Sequence, residues 1–371
     1  MFSKLYLRIL VLVFIAQQIS AQNVVNFKFG KGLQLVAKDS SIYLKFSTRI
    51  QTRFDTEHYI EGDHDPKHKF FVRRARLKFD GFAFRPHVVY KIEFDMVKGQ
   101  MLDAVIKWGF VKNMQLWFGQ TKLPGNRERL ISSQKLQFVD RSMLNSKFTL
   151  DRDAGIQIRR EDEFGKFILR LQGAVSTGEG LNYGSFHRGM SYTGKIEILP
   201  FGKFSKKGEY VGSALKRERK AKLALAAAFN FNDEAMRHRS HTGDELSTTR
   251  DISTLFADLM FKYRGWSLMY EFAQRTATGG PVVDSTSTIF TGQAINWQTG
   301  ILTKKNWEIA YRYTVLLPET ASSYNQTQEF VLAISKYIVN HSLKVQADIG
   351  YRDEDTKDGR VIGRFQTELS F

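Results

Sequence analysis

The chain has 371 residues, no cysteine, and 55 Lys and Arg against 38 Asp and Glu, a formal net charge of +17. Without cysteine, disulfides, thiolate metal sites and a lipid-anchored N-terminal cysteine are all excluded. The positive charge is spread along the chain and not gathered in one arm, which argues for a solvated charged surface and against a nucleic-acid partner.

The first stretch, MFSKLYLRILVLVFIAQQISAQN, has a positive start (Lys4, Arg8), a short apolar run from Ile9 to Ala16 and a small-residue cleavage site at Ser20-Ala21. It reads as a secretory signal peptide over 1–21, leaving a single domain at 22–371. The run is too short for a stop-transfer helix. No later segment offers a long apolar run, and LALAAAFNF at 223–231 is short and flanked by Lys220, Lys222 and Asp233. A secreted soluble protein and an outer-membrane barrel remain.

From residue 42 onward the pattern is period two. FVRRARLKFDGF sets Arg74, Arg76, Lys78 and Asp80 against Arg73, Ala75, Leu77 and Phe79. NWEIAYRYT sets Glu308, Ala310, Arg312 and Thr314 against Trp307, Ile309, Tyr311 and Tyr313. Each such strand has one apolar and one polar face. Strands are expected near 42–55, 69–82, 87–96, 102–111, 113–121, 153–161, 164–175, 189–200, 221–231, 251–264, 266–276, 287–301, 306–314, 326–337, 341–352 and 360–371. GLQLVA at 32–37 offers a further hairpin strand. Polar faces carry charges of both signs, aromatics cluster near strand ends, and short turns alternate with long polar connections, which is the outer-membrane barrel pattern. One connection breaks the alternation: FGKFSKKGEYVGSALKRERK, 201–220, reads as a small folded excursion on the short-turn side.

The last stretch, GRFQTELSF, alternates Val361, Gly363, Phe365, Thr367, Leu369 and Phe371 against polar neighbours. In a closed barrel this strand pairs with the first, because no backbone group in hydrocarbon can go unpaired. A terminal alternating strand ending in Phe371 also resembles the signal read by the barrel-assembly machinery. His58, His64 and His68 lie with Glu57, Glu61, Asp63 and Asp65 in the first long loop. A hydrated loop facing lipopolysaccharide accounts for them better than a metal site, and no cofactor is expected. The nucleophile-elbow, zincin and P-loop patterns are missing from the sequence. The register sets His87 and His341 near the short-turn rim, away from where a lipid-cleaving Ser–His pair would work, so no enzyme is expected.

The longest segment without alternation is KLPGNRERLISSQKLQFVDRSMLNSKFTLDRDAG, 122–155, the third long loop. Pro124-Gly125 breaks the strand, and Arg127 to Phe138 has partial helical spacing with Leu130, Ile131, Leu136 and Phe138 apolar. A loop this long in a barrel is usually functional. It carries Lys122, Arg127, Arg129, Lys135, Arg141, Lys147 and Arg152 against Glu128, Asp140, Asp151 and Asp153. Folded inward over 122–152, it would build a positive constriction, and rings of Arg or Lys favour anions.

VRRARLKFDGF, YKIEFDM, LWFGQTKLPGNRERLISSQKLQFVDRSMLN and DRDAGIQI together resemble the phosphate-selective porin O and P family. The resemblance covers most of the chain and is most specific over 70–160. It implies a sixteen-stranded trimeric barrel in the bacterial outer membrane, through which a basic ladder and a loop-borne basic cluster draw phosphate. The implied anion pathway is Arg74, Arg76 and Lys78 on the wall with Arg127, Arg129 and Lys135 on the loop, joined by Lys122 and Arg141. The lumen row also holds Glu93, Asp95, Asp103, Asp258, Glu271 and Glu308, so a broader channel for small anions stays open beside a phosphate-preferring one. The expectation is an all-β transmembrane antiparallel barrel with an inward-folded third loop, passing small hydrophilic solutes with an anion lean. An unselective pore and a plugged adhesion or structural barrel are the alternatives.

Overall fold

The structure, a computed structural model, describes residues 24–61 and 65–371. The signal-peptide reading of 1–21 lies outside these residues, as do Asp63 and His64 of the first-loop histidine group. Among the described residues a hairpin of β1 (Val24–Lys28) and β2 (Gly32–Val36) precedes sixteen long strands. These are β3 (Ile42–Tyr59), β4 (Lys67–Ala83), β5 (Val88–Asp95), β6 (Gln100–Val111), β7 (Met114–Lys122), β8 (Arg152–Phe164), β9 (Phe167–Ser176) and β10 (Ser191–Leu199). They continue as β11 (Lys222–Arg237), β12 (Glu245–Tyr263), β13 (Trp266–Ala277), β14 (Gly292–Leu302), β15 (Trp307–Pro318), β16 (Thr327–Val339), β17 (Leu343–Glu354) and β18 (Lys357–Ser370). Every one of the sixteen expected strands is present, and 32–37 forms the expected extra strand, β2.

Successive strands pair antiparallel, and β18 returns to β3 from Arg360↔Tyr59 to Ser370↔Arg49. The sheet is therefore closed. Thr48 N donates to Phe371 O at 2.8 Å and Phe371 N to Thr48 O at 3.0 Å, which carries the seam to the last residue. Beyond it, β2 takes over the same edge of β3, from Leu33↔Phe46 to Val36↔Tyr43. Gly32 starts that strand at φ +75°, where an added Cβ would lie 2.2 Å from Phe46 O, so only glycine fits.

Polarity is inverted relative to a soluble protein. On β15 the lumen-facing Glu308 and Arg312 are 1% and 0% exposed, while Ile309 on the outer face is 57% exposed. Leu332 and Ile349 are also exposed outward. Phe110, Phe164, Trp266 and Trp307 are exposed near the short-turn rim, as an aromatic girdle at a bilayer interface requires. His87 and His341 both lie in turns at that rim.

Three local features differ from the simple alternating pattern. A register shift between Gln51 and Thr52 inserts an extra residue in β4. Arg73, expected on the outer face, therefore reaches Asp140 inside the barrel at 3.5 Å. Several expected long loops are instead paired strand. β17 and β18 run on to Glu354 and Lys357, and β11 and β12 to Arg237 and Glu245. Above the bilayer both faces meet water, so the alternation fades while backbone pairing continues. Finally, residues 201–220 sit at the short-turn rim as expected, but fold up into the lumen. Phe204, Gly208, Glu209, Gly212, Ser213, Ala214 and Glu218 are all buried.

At the opposite rim His241 is buried in the turn after β11. Its Nδ1 is 3.0 Å from Ser240 Oγ, and its Nε2 is 2.9 Å from Ser191 Oγ and 3.8 Å from Asp153 Oδ2. Burial pushes the imidazole down to about 4, outweighing the pull of Asp153. An opened turn would let it titrate near its ordinary value of about 6.5. Its contribution to stability is thus complete above about 6.5 and lost as pH falls toward about 4.

Two outcomes follow from this architecture. Leu332→Arg, near mid-wall on the lipid face, should cost about 2–4 kcal/mol of folding stability in vesicles, against little for Leu332→Met, as measured by denaturant titration. The opening free energy of 238–244, measured by amide exchange, should fall between pH 7 and pH 4.5, and His241→Asn should reduce that dependence to the smaller part carried by half-buried His238, which burial also lowers.

Candidate functional site

Residues 123–151 leave β7 and cross the lumen. Pro124-Gly125 ends the strand, and Asn126 precedes a short helix, α1 (Arg127–Leu130). A 3-10 turn at Ser133–Lys135 follows, capped by Ser132, whose hydroxyl accepts from Gln134 N. Then comes α2 (Met143–Phe148), where Ser142 Oγ accepts from Asn145 N. Most apolar residues of the loop point one way, while Leu130 and Met143 border the open space. Leu123, Leu144, Phe148 and Leu150 pack with Phe256, Phe290, Ala294 and Leu316 on the wall. Ile131 and Leu136 pack with Phe204, Met260 and Met269.

Polar locks fix the same side. Arg127 is wholly buried: its Nε donates to Asp258 Oδ1 at 2.6 Å, Nη2 to Glu197 Oε1 at 2.8 Å and Nη1 to Glu209 O at 3.2 Å. Glu128 N donates to Glu271 Oε1 at 2.7 Å, and the Glu128 carboxylate accepts from Ser142 Oγ at 2.5 Å. Burial raises the Glu128 carboxyl, against the pull of Arg312 and the Ser142 hydrogen bonds. Gln137 Nε2 donates to Glu308 Oε1 at 2.8 Å, and Arg275 donates to the carbonyls of Lys147 and Phe148 at 2.8 and 2.9 Å.

The 201–220 excursion braces the loop from the periplasmic side. Gly212 N donates to Lys135 O at 2.8 Å, and an added Cβ at Gly212 would lie 2.7 Å from Gln137 N. Lys262 Nζ holds the excursion through the carbonyls of Gly208, Val211 and Ser213. Loop and excursion together fill the lumen against β10–β17.

What remains open lies as two cavities, the lower against β4–β9 and the upper against β3, β4 and β18 with Arg352 of β17. The lower, about 650 Å³, is lined by eleven Lys and Arg residues and three carboxylates, Glu93, Asp103 and Glu161. The upper, about 620 Å³, has ten Lys and Arg residues and three carboxylates, Asp55, Glu57 and Asp140. Arg129 and Arg141 line both. Arg141 donates to Glu128 O at 3.1 Å and Ile131 O at 2.7 Å, so backbone carbonyls hold it. Burial and then Arg129 push it down to about 9, which leaves it charged at neutral pH. Arg129 pairs with Asp151, and its buried Nε has no acceptor among the described residues. Burial works to raise the Asp151 carboxyl, but Arg129 and Arg152 outweigh it and hold it at about 2.

The other expected pathway residues divide. Arg74 lines the upper cavity, donating to Gln51 Oε1 at 2.7 Å and standing 3.7 Å from Asp140. Arg76 lines the lower, with Glu93 at 2.9 Å and Asp95 at 3.3 Å. Lys122 also lines the lower, donating to Arg129 O at 2.6 Å. Arg127, Lys78 and Lys135 line neither. Lys78 pairs with Asp80. Lys135 is held below its ordinary value by burial and by Lys78, Lys45 and Lys207. Lining residues absent from the expected set include Lys107, Arg152, Arg159 and Lys207 below, and Arg53, Arg73 and Arg364 above. Inward parity on β6 and β8 marks Lys107 and Arg159, whereas Lys207 sits on the excursion and has no such signal. Of the histidines expected in the first long loop, His58 and His68 lie instead on β3 and β4, the His68 ring stacks on Phe54 at 6.0 Å, and no metal-holding cluster occurs among the described residues.

A closed sixteen-stranded barrel, apolar outside and narrowed by a basic inward loop, is a bacterial outer-membrane porin. The family profile described as phosphate-selective porin O and P matches residues 44–360, and the chain belongs to that family. Family and fold are those of a channel rather than an enzyme. No curated protein sequence matches. Among solved structures, the anion-selective porin from Comamonas acidovorans is similar at TM-score 0.58 and 7% identity, covering 88% of this chain and 99% of that one. OprB of Pseudomonas putida in its high-pH structure gives 0.57 and 9%, covering 88% and 94%. In-vitro folded OmpT of Vibrio cholerae, in its trimer form, gives 0.52 and 11%, covering 88% and 99%. At these identities the likeness is one of fold.

Removing the central lock tests the role of the wall-side anchors. Arg127→Met would leave Asp258 with Lys195 and Glu197 with Arg170 as their remaining cations, at a local cost on the order of 3 kcal/mol, the low end for a broken buried pair. The expected result is a larger and noisier single-channel conductance, with the barrel still resistant to detergent.

Proposed function

We propose that this porin is an anion-leaning diffusion channel for small hydrophilic solutes, with phosphate as its narrower preference. The observation that carries the reading is the position of Arg129 and Arg141, which line both cavities while surrounded by an excess of cationic walls. A low-dielectric passage lined by one sign concentrates counter-ions. Guanidinium forks suit oxyanions, and Lys122 adds an amine donor without a carboxylate partner among the described residues. Occupancy has to stay weak enough for release. The carboxylates Glu93, Asp103 and Asp140 temper the site and favour a broad anion preference over a single tight ligand.

A homotrimer fits the family and the trimer form of the Vibrio cholerae fold relative. The outer apolar wall sits in lipid, with the long-loop rim in lipopolysaccharide. The alternating β18 edge ending at Phe371 is the element for the barrel-assembly machinery to engage. A plugged barrel is the second reading, favoured by the amount of lumen that the loop and excursion fill.

The test is the reversal potential of purified protein in a planar bilayer under a KCl gradient, with orthophosphate then added. Chloride preference with phosphate block is expected. Arg129→Glu with Arg141→Glu should move the preference toward potassium. An unchanged potential in that double variant would remove these arginines from the passage, and absence of any conductance would bring the plugged reading forward.

A further inference from the structure

Lys107 and Arg159 enter the lower cavity from β6 and β8, and the indole of Trp117 on β7 lies between them. Lys107 Nζ is 3.8 Å and the Arg159 guanidinium carbon 3.7 Å from the ring centroid. The register sets Trp117 directly opposite Lys107 on one side and Gln157 on the other. Trp117 Nε1 donates to Gln115 Oε1 at 3.0 Å, which orients the ring, and Arg159 Nη2 donates to Gln157 Oε1 at 2.7 Å. The partners of both cations are therefore an aromatic ring and an amide, neither of them charged. Arg159 Nε is buried and has no acceptor among the described residues.

Neighbouring cations on the same wall are treated differently. Lys91 has Asp103 at 2.8 Å and Glu93 at 3.0 Å, and Arg152 has Asp103 at 3.0 Å. Those charges are cancelled locally. A carboxylate in place of Trp117 would hold Lys107 and Arg159 as firmly and erase their field. The ring's quadrupole attracts both side chains and brings no negative charge of its own to cancel theirs.

We infer that Trp117 is a positioning residue that holds Lys107 and Arg159 as a second anion station, on the periplasmic side of Arg129 and Arg141, for small oxyanions. The unused Arg159 Nε–H is a donor such an ion would satisfy. Lys207 of the excursion lines the same cavity and adds a third positive group. This inference rests on the anion-leaning reading above.

The experiment compares the full-length porin with Trp117→Leu, Trp117→Phe and the Lys107→Gln/Arg159→Gln pair in planar bilayers. It records the KCl reversal potential and the half-blocking concentration of orthophosphate added to each side in turn. Trp117→Leu should raise the half-blocking concentration about threefold from the weaker side and reduce chloride preference, while Trp117→Phe, which keeps a π face, stays near the parent. The paired variant should lose at least as much. If Trp117→Leu fails to fold, the paired variant decides, because it leaves the ring in place. Parent-like block and potential in the paired variant, with Arg141→Glu still shifting selectivity, would overturn the station alone. A parent channel with no anion preference would overturn the anion-leaning reading, and the station with it.

Discussion

A sheet in hydrocarbon cannot keep an edge, and the seam between β18 and β3 is where this chain meets that requirement. Each unpaired backbone group there would cost several kcal/mol, far more than any single side-chain contact in the wall. Closure sets the rest. It forces an inside and an outside, converts the period-two pattern into a wet row and an oily row, and fixes the rims at which loops can turn inward. The β1–β2 hairpin continues the seam along β3 past Phe371, so the edge remains covered there by neighbouring strand.

Within that wall the lumen is divided, not centred. The third loop has an apolar side and a basic side, and it can bury the first only by lying on the wall. Leu144 and Phe148 against Phe256 and Phe290, and Arg127 between Asp258 and Glu197, place it on the β10–β17 side. The excursion between β10 and β11 then closes the space beneath. Its carboxylates Glu209 and Glu218 are buried, with Glu209 pairing Arg170, while Lys206, Lys207 and Lys216 stay exposed. Water and ions are left the β3–β9 side and the neighbouring β18, whose rows are the more basic ones.

The strands and their inward faces are legible in the sequence because parity is local: Arg74, Arg76, Glu93 and Asp103 follow from counting by twos. Two kinds of fact are not local. One is a single inserted residue, which turns Arg73 inward against the count. The other is pairing across long separations. NRERL shows two arginines two residues apart, and nothing in it says that Arg127 will be buried between carboxylates on β10 and β12 while Arg129 pairs with Asp151 at the edge of both cavities. The inward fold of the excursion has the same cause, since Lys262 and Arg127, its anchors, are distant in sequence.

Arginine therefore does two different jobs in this lumen, and the partner tells them apart. Arg127 and Arg170 lie among carboxylates that cancel their charge, so they act as struts that tie buried anions of separate elements together. Arg141, Lys122, Lys107 and Arg159 are held by backbone carbonyls, an indole ring and an amide. Such partners fix geometry through dipoles and a quadrupole while leaving the net charge in place. A passage needs both properties together: groups rigid enough to keep the path open, and a field not already spoken for by the protein's own anions. Uncharged partners supply that combination, and they keep the attraction short of the tight, fully desolvated pairing that would trap a solute.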